Sequence, residues 1–159
     1  MKTFACLTMI GMVLAPLAMG QAPARDDRAA TEQPAAVQPA QPEVSAAVAA
    51  LAAALRDEDP AVRESAAHAL RSMGPAAKPA VPALVETVRD RDGYVRATAA
   101  RALVRLGKEA AGGLARLLRD PDPEVRRVAA EALGGMGPDA AEAVPALGAA
   151  LRDASPAVR

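Results

Sequence analysis

From residue 44 onward, apolar residues fall into two kinds of short run that alternate along the chain. One kind is Val44, Val48, Leu51 and Leu55, followed later by Val81, Leu84, Val85 and Val88, then Leu114, Leu117 and Leu118, and finally Val144, Leu147 and Leu151. The other begins with Val62, Ala66, Ala69, Leu70 and Met73, at i, i+4, i+7, i+8 and i+11, which is the apolar stripe of an amphipathic helix. The same slots hold Val95, Ala99, Ala102, Leu103 and Leu106, and again Val125, Ala129, Ala132, Leu133 and Met136. Each pair of runs predicts two short helices, with the second helix burying its stripe in every copy.

Polar hinges separate the runs. Arg56-Asp57, Arg89-Asp90, Arg119-Asp120 and Arg152-Asp153 each lead into a Val-Arg pair: Val62-Arg63, Val95-Arg96, Val125-Arg126 and Val158-Arg159. The Val residues lie 33, 30 and 33 apart. A fixed period in this range marks a solenoid, because one helical hairpin cannot bury its apolar face alone and must stack on its neighbours. Asp59 and Asp122 suit the N-cap, where a side-chain oxygen satisfies a free N–H, and Pro60 and Pro123 suit the first helical position, which needs no donor. Gly74, Gly107 and Gly137 suit a left-handed residue closing each second helix. From Gly107 to Leu118 the chain is three residues shorter than from Gly74 to Val88, so repeat 3 has lost a turn from its first helix or the loop before it. The expected repeats are 43–75, 76–108, 109–138 and a partial 139–159. Repeat 4 breaks off where its second helix should begin, which fits either a fragment of a longer array or an open end covered by self-association.

Asp122-Pro123-Glu124-Val125-Arg126, continuing through Ala129-Ala130-Glu131-Ala132-Leu133 to Met136-Gly137, resembles the HEAT repeat, most closely the short bacterial phycobilisome-lyase-like variety. The resemblance covers about residues 43–159. It implies an all-α, right-handed α-α solenoid of HEAT-like hairpins, three full and one truncated, and points to protein binding without fixing the partner. Two enzyme families resemble this fold. Deoxyhypusine hydroxylases hold iron through several His-Glu pairs, which a chain with one His lacks. Bilin lyases act in the cytoplasm, which conflicts with the front of this chain.

Lys2, the apolar stretch from Phe4 to Met19, and the small residues Ala18 and Gly20 read as a secretory signal peptide over 1–20, cleaved after Gly20. An uncleaved membrane anchor is the alternative, although the stretch is shorter than the ~20 residues that span a bilayer. Cys6 lies inside it, so cleavage leaves no cysteine for disulfide, thiol or metal chemistry. Residues 21–42, with Pro23, Pro34, Pro39 and Pro42, read as a linker without apolar periodicity. The expected location is periplasmic or secreted, or membrane-anchored if the leader is retained.

Composition removes further chemistry. Lys+Arg and Asp+Glu are equal at 19, which argues against nucleic acid, and the only aromatic residues are Phe4 and Tyr94, which leaves no base-stacking platform. No zinc-type cluster, phosphate loop or Ser/His/Asp set is present, so no cofactor, metal or catalytic residue is expected, and His68 with Glu64 reads as a solvated pair. The recurring Asp57, Arg63, Asp90, Arg96, Asp120, Arg126, Asp153 and Arg159 read as a structural ladder of Asp–Arg bonds between neighbouring repeats. Partner contacts belong where repeats differ, on the outward slots of the second helices: Glu64, His68, Arg71, Arg101, Arg127 and Glu131, with Tyr94 as the one aromatic candidate. The expected partner is a protein or peptide.

Overall fold

A computed structural model describes residues 42–159; the leader, its cleavage point and the linker up to residue 41 lie outside the described residues. All the regular structure among the described residues is helical. The second-kind runs form α2 (Pro60–Met73), α4 (Gly93–Leu106) and α6 (Pro123–Met136), each 14 residues long. The first-kind runs form α1 (Pro42–Ala54), α3 (Val81–Thr87), α5 (Lys108–Leu117) and α7 (Val144–Ala150). The helices α3 and α7 are each preceded by a 3-10 helix, Gly74–Ala80 and Gly137–Ala143. The helices α2, α4 and α6 stack on one another as one layer, while α3, α5 and α7 pack in sequence as the other, giving an α solenoid.

The missing turn of repeat 3 is now located. Where repeats 2 and 4 approach the first helix through a 3-10 segment, α5 begins directly after Gly107 and runs as one 10-residue helix. This helix lies close against α3: a Cβ added at Gly113 would stand 2.6 Å from Val85 Cγ2. Between the layers, Leu70, Leu84, Leu103, Leu114, Leu117 and Leu133 are fully buried, with alanines filling the gaps. Small side chains let the helices approach while losing no rotamer freedom.

Burial of the stripe is complete in α4 and α6 but not in α2, which corrects the expectation for repeat 1. Val62 is 39% exposed, and Ala69 and Met73 are only half-buried. The reason is position: α2 is covered by α1 and α4, and no described helix stacks on its other side. At the opposite end Val144 and Leu151 of the fourth repeat are 61% and 66% exposed.

The helix ends follow the hinge chemistry. Asp59, Asp92 and Asp122 all cap, accepting N–H bonds from Ala61, Tyr94 and Glu124 at 2.8 Å. The closing glycines differ from expectation in one respect. Their φ values of 56°, 69° and 57° are positive, but ψ lies between −128° and −144°, outside the left-handed helical well. This extended, mirrored region is open to glycine almost alone, because a Cβ would clash with the neighbouring backbone. It turns the chain sharply enough to begin the next helix at once.

Two glycines three residues apart therefore should respond with opposite sign. Beyond the adjacent residues and the helix's own backbone, neither Gly134 nor Gly137 has an atom within 4 Å of an added Cβ. Gly134 sits inside α6, so Gly134→Ala should stabilise by up to ~1 kcal/mol through helix propensity. Gly137→Ala should cost about 1–3 kcal/mol through backbone strain alone. Urea unfolding of both variants checks the contrast, and equal shifts would show that the turn conformation is misassigned.

Candidate functional site

Each Val-Arg arginine first closes its own hinge. Arg63 Nη1 donates to the carbonyls of Asp57 and Glu58, Arg96 Nη1 to those of Asp90 and Arg91, Arg126 Nη1 to those of Asp120 and Pro121, and Arg159 Nη1 to those of Asp153 and Ala154. In Arg63 and Arg126 the remaining edge of the guanidinium, Nε and Nη2, reaches the next repeat. Arg63 uses it to grip Asp90 bidentately at 2.6 and 2.9 Å, and Arg126 grips Asp153 at 2.7 and 2.9 Å. Both rungs span 27 residues.

The middle rung is different, and the expected role of Arg96 in the ladder is corrected here. Arg96 and Asp120 stand only 24 apart in sequence because repeat 3 is short, and they do not bond. Asp120 is held instead by Arg89 Nε at 2.6 Å, and Arg89 also bonds Glu86 within its own turn. Arg96 Nε is buried with no acceptor among the described residues. Asp57 and Arg159 likewise form no ion pair among the described residues; the Asp57 carboxylate accepts the Asp59 N–H. A Lys78–Glu109 pair, which the repeat pattern does not announce, adds a further bond between repeats 2 and 3.

The hinge carboxylates feel these partners. Burial pushes Asp90 and Asp120 up, but the arginine bonds, from Arg63 and Arg89, and the N–H bonds from Asp92 and Asp122 outweigh it and hold both below the usual value of 3.8. The Arg126 bond draws Asp153 down in the same way, and the N–H of Ser155 adds to it. The Asp90 and Asp153 bonds in turn raise Arg63 and Arg126.

On the outward side of the second-helix layer two grooves open. The first, about 270 Å³, runs between α4 and α6 over a floor of Ala97, Ala100, Val104 and Val128. Arg96, Arg101, Arg127 and Glu131 form its walls. Arg127 is already engaged, bonding Glu124 at 2.9 Å and Glu131 at 2.5 Å. Arg101 makes no ion pair among the described residues. The second groove, about 470 Å³, lies between α2 and α4 against Arg71, Arg101, Val104 and Arg105. Arg101 and Val104 border both. Of the residues singled out in the sequence, these grooves gather Arg71, Arg101, Arg127 and Glu131. Glu64 and His68 line a separate shallow hollow on α2, and His68 Nε2 lies 2.9 Å from Arg71 Nη2. The partner of His68 is thus Arg71, one turn along the same helix, and not Glu64. Tyr94, 77% exposed, borders neither groove.

The family follows from comparison with known proteins. A family profile described as HEAT repeats matches residues 24–104 and 111–159. The chain belongs to the HEAT-repeat family. Its bidentate rungs are thus the inter-repeat bonds of a HEAT array, and the array is a repeat scaffold of the kind that mediates protein interaction. No curated protein matches the chain. Among solved structures, crystal structures of three engineered proteins are similar, at 27%, 23% and 29% identity with TM-scores of 0.43, 0.45 and 0.42. Each match covers 70% of this chain, which spans 57%, 58% and 34% of theirs.

Ladder chemistry sets the response to acid. A carboxylate whose folded-state pKa is lowered stabilises the fold above its unfolded value, and that stability is lost as pH falls through the folded value. The melting temperature should therefore be level near neutrality and fall below about pH 4, with Asp90→Asn lower at neutrality and flatter in acid. Replacing Arg89 should destabilise more than replacing Arg96, because only Arg89→Gln strips buried Asp120 of its cation. Thermal melts of the two glutamine variants decide this, and a larger loss for Arg96→Gln would restore the regular ladder.

Proposed function

We propose that this HEAT-repeat chain is an exported, non-catalytic scaffold that binds a segment of a partner protein in the groove between α4 and α6. The observation that carries the reading is where the repeats diverge. Packing positions repeat from α2 to α6, while the outward slots run Glu64, Ala97, Arg127 and His68, Arg101, Glu131, the last two members of each set bordering the groove. A residue that packing does not dictate is free to serve a partner. The small apolar floor between charged walls suits an extended peptide carrying both kinds of side chain. Non-catalytic action is supported by the single His and by the absence from the sequence of a nucleophile–base set. Export is supported by the basic, apolar and small-residue regions of residues 1–20.

Expression of the full chain with its leader in a bacterial host tests these together. Periplasmic product should begin at Gln21 by intact mass and contain no stoichiometric iron. Proteins captured from periplasm should be lost on Arg101→Ala with Glu131→Ala while helicity is unchanged. An intact Met1, bound iron, or capture indifferent to the groove would each overturn the corresponding claim.

A further inference from the structure

Between α2 and α4 the fold gathers positive charge that it does not balance. Arg71, near the end of α2, lines the groove of about 470 Å³ together with Arg101 and Arg105 of α4, and no Asp or Glu borders it among the described residues. Arg101 and Arg105 stand one helical turn apart on α4, and neither makes an ion pair or a side-chain hydrogen bond among the described residues. Arg71 Nη2 lies 2.9 Å from His68 Nε2, a contact that positions the guanidinium without compensating its charge. All three can be reached from solvent: Arg101 and Arg105 are exposed and Arg71 is half-buried. The cluster is not a by-product of composition, because basic and acidic residues are equal at 19 in the chain. Nor does packing call for it. At the equivalent slots of the other second helices, Arg71 is matched by Val104 and Gly134, Arg101 by His68 and Glu131, and Arg105 by Ser72 and Gly135. Like charges one turn apart on a helix work against folding, so the fold gains nothing from keeping them together.

We propose that the groove between α2 and α4 receives an acidic stretch of the partner protein, with alternate Asp or Glu side chains on Arg101 and Arg105 and with Arg71 closing on them from the opposite wall. The inference deepens the binding reading above and rests on it: Arg101 and Val104 border both grooves, so one partner meets the two together. Charge complementarity selects the ligand, and spacing refines it. Residues four apart on a helix hold their Cβ atoms about 6 Å apart. Side chains two apart on an extended chain, which point the same way, repeat at about 7 Å. An extended segment lying along the groove therefore sets one carboxylate against each arginine of α4. The planar fork of a guanidinium bonds a carboxylate through two parallel N–H donors, which a neutral amide matches less well.

Fluorescein-labelled peptides of alternating Glu and Ala, and of alternating Gln and Ala, titrated against the full chain provide the probe. The Glu peptide should bind about ten-fold more tightly than the Gln peptide, and the advantage should shrink as salt rises. Arg105→Gln and Arg71→Gln should each remove most of it. Arg119→Gln makes the same change in net charge at an exposed hinge residue that borders neither groove, and should leave the advantage intact. Arg105→Gln should also melt no lower than the wild type, which separates lost recognition from lost structure. In the wild-type chain, backbone amide shifts on titration should centre on Ser72, Arg101 and Arg105, a readout that needs no variant to fold. Equal affinity for the two peptides, or equal losses in Arg105→Gln and Arg119→Gln, would overturn the carboxylate site. A peptide of alternating phosphoserine and Ala that binds where the Glu peptide does not would overturn it in favour of a phosphate ligand. The groove between α4 and α6 would still stand wherever capture of periplasmic proteins is lost on Glu131→Ala, whereas capture indifferent to both Glu131→Ala and Arg105→Gln would overturn the two readings together.

Discussion

The bidentate bond from Arg to the hinge aspartate of the following repeat is the constraint that the rest of the stack depends on. Its two ends are both anchored before they meet. Arg63 and Arg126 are tied to the carbonyls of their own hinges, and the carboxylates they grip also receive an N–H from two residues further along. The bond therefore connects one preformed turn to another. Such a connection fixes register more than it adds stability, since a desolvated ion pair recovers little beyond the cost of burying it. It also fixes length: both regular rungs span 27 residues, and removing a turn from the intervening segment disengages the pair.

Cohesion comes from elsewhere, from leucines buried between two helix layers and from the alanines that let the layers close. The two contributions meet at the glycine after each second helix. Because Gly74 and Gly137 take an extended backbone at positive φ, the 3-10 approach to α3 and α7 starts without a loop, and the next apolar run arrives in phase with the last. After Gly107 the approach is absent and α5 begins at once. Its close seat on Val85, made possible by Gly113, keeps the layer continuous across the shorter repeat. Packing thus absorbs the deletion that the ladder cannot.

Much of this was legible in the sequence because it is periodic. The Asp-Pro caps, the i, i+4, i+7 stripes and the closing glycines each recur, and recurrence separates a packing requirement from chance. What the sequence left obscure is what happens when the period fails. The three-residue deficit of repeat 3 was visible as a count, but where it fell, and that it would free Arg96 and recruit Arg89, depends on where the hinge lands in space. The 24-residue interval from Arg96 to Asp120 was the available signal. Local competition was hidden for a similar reason: Glu64 and Arg71 are both within a helical turn of His68, and spacing alone does not choose between them. End effects were invisible too, since Val62 occupies a stripe position but lacks the neighbour that would bury it.

The difference between Arg96 and Arg127 shows what the broken rung does to the charges beside the groove. Arg127 already bonds two carboxylates, so a ligand must displace an existing partner to use it and gains little by doing so. Arg96 has no carboxylate partner, and its Nε–H is buried without an acceptor among the described residues. Two carbonyls of its own hinge hold the side chain in place of the missing rung. Because Arg89 has taken over Asp120, the stack holds its third hinge carboxylate without Arg96.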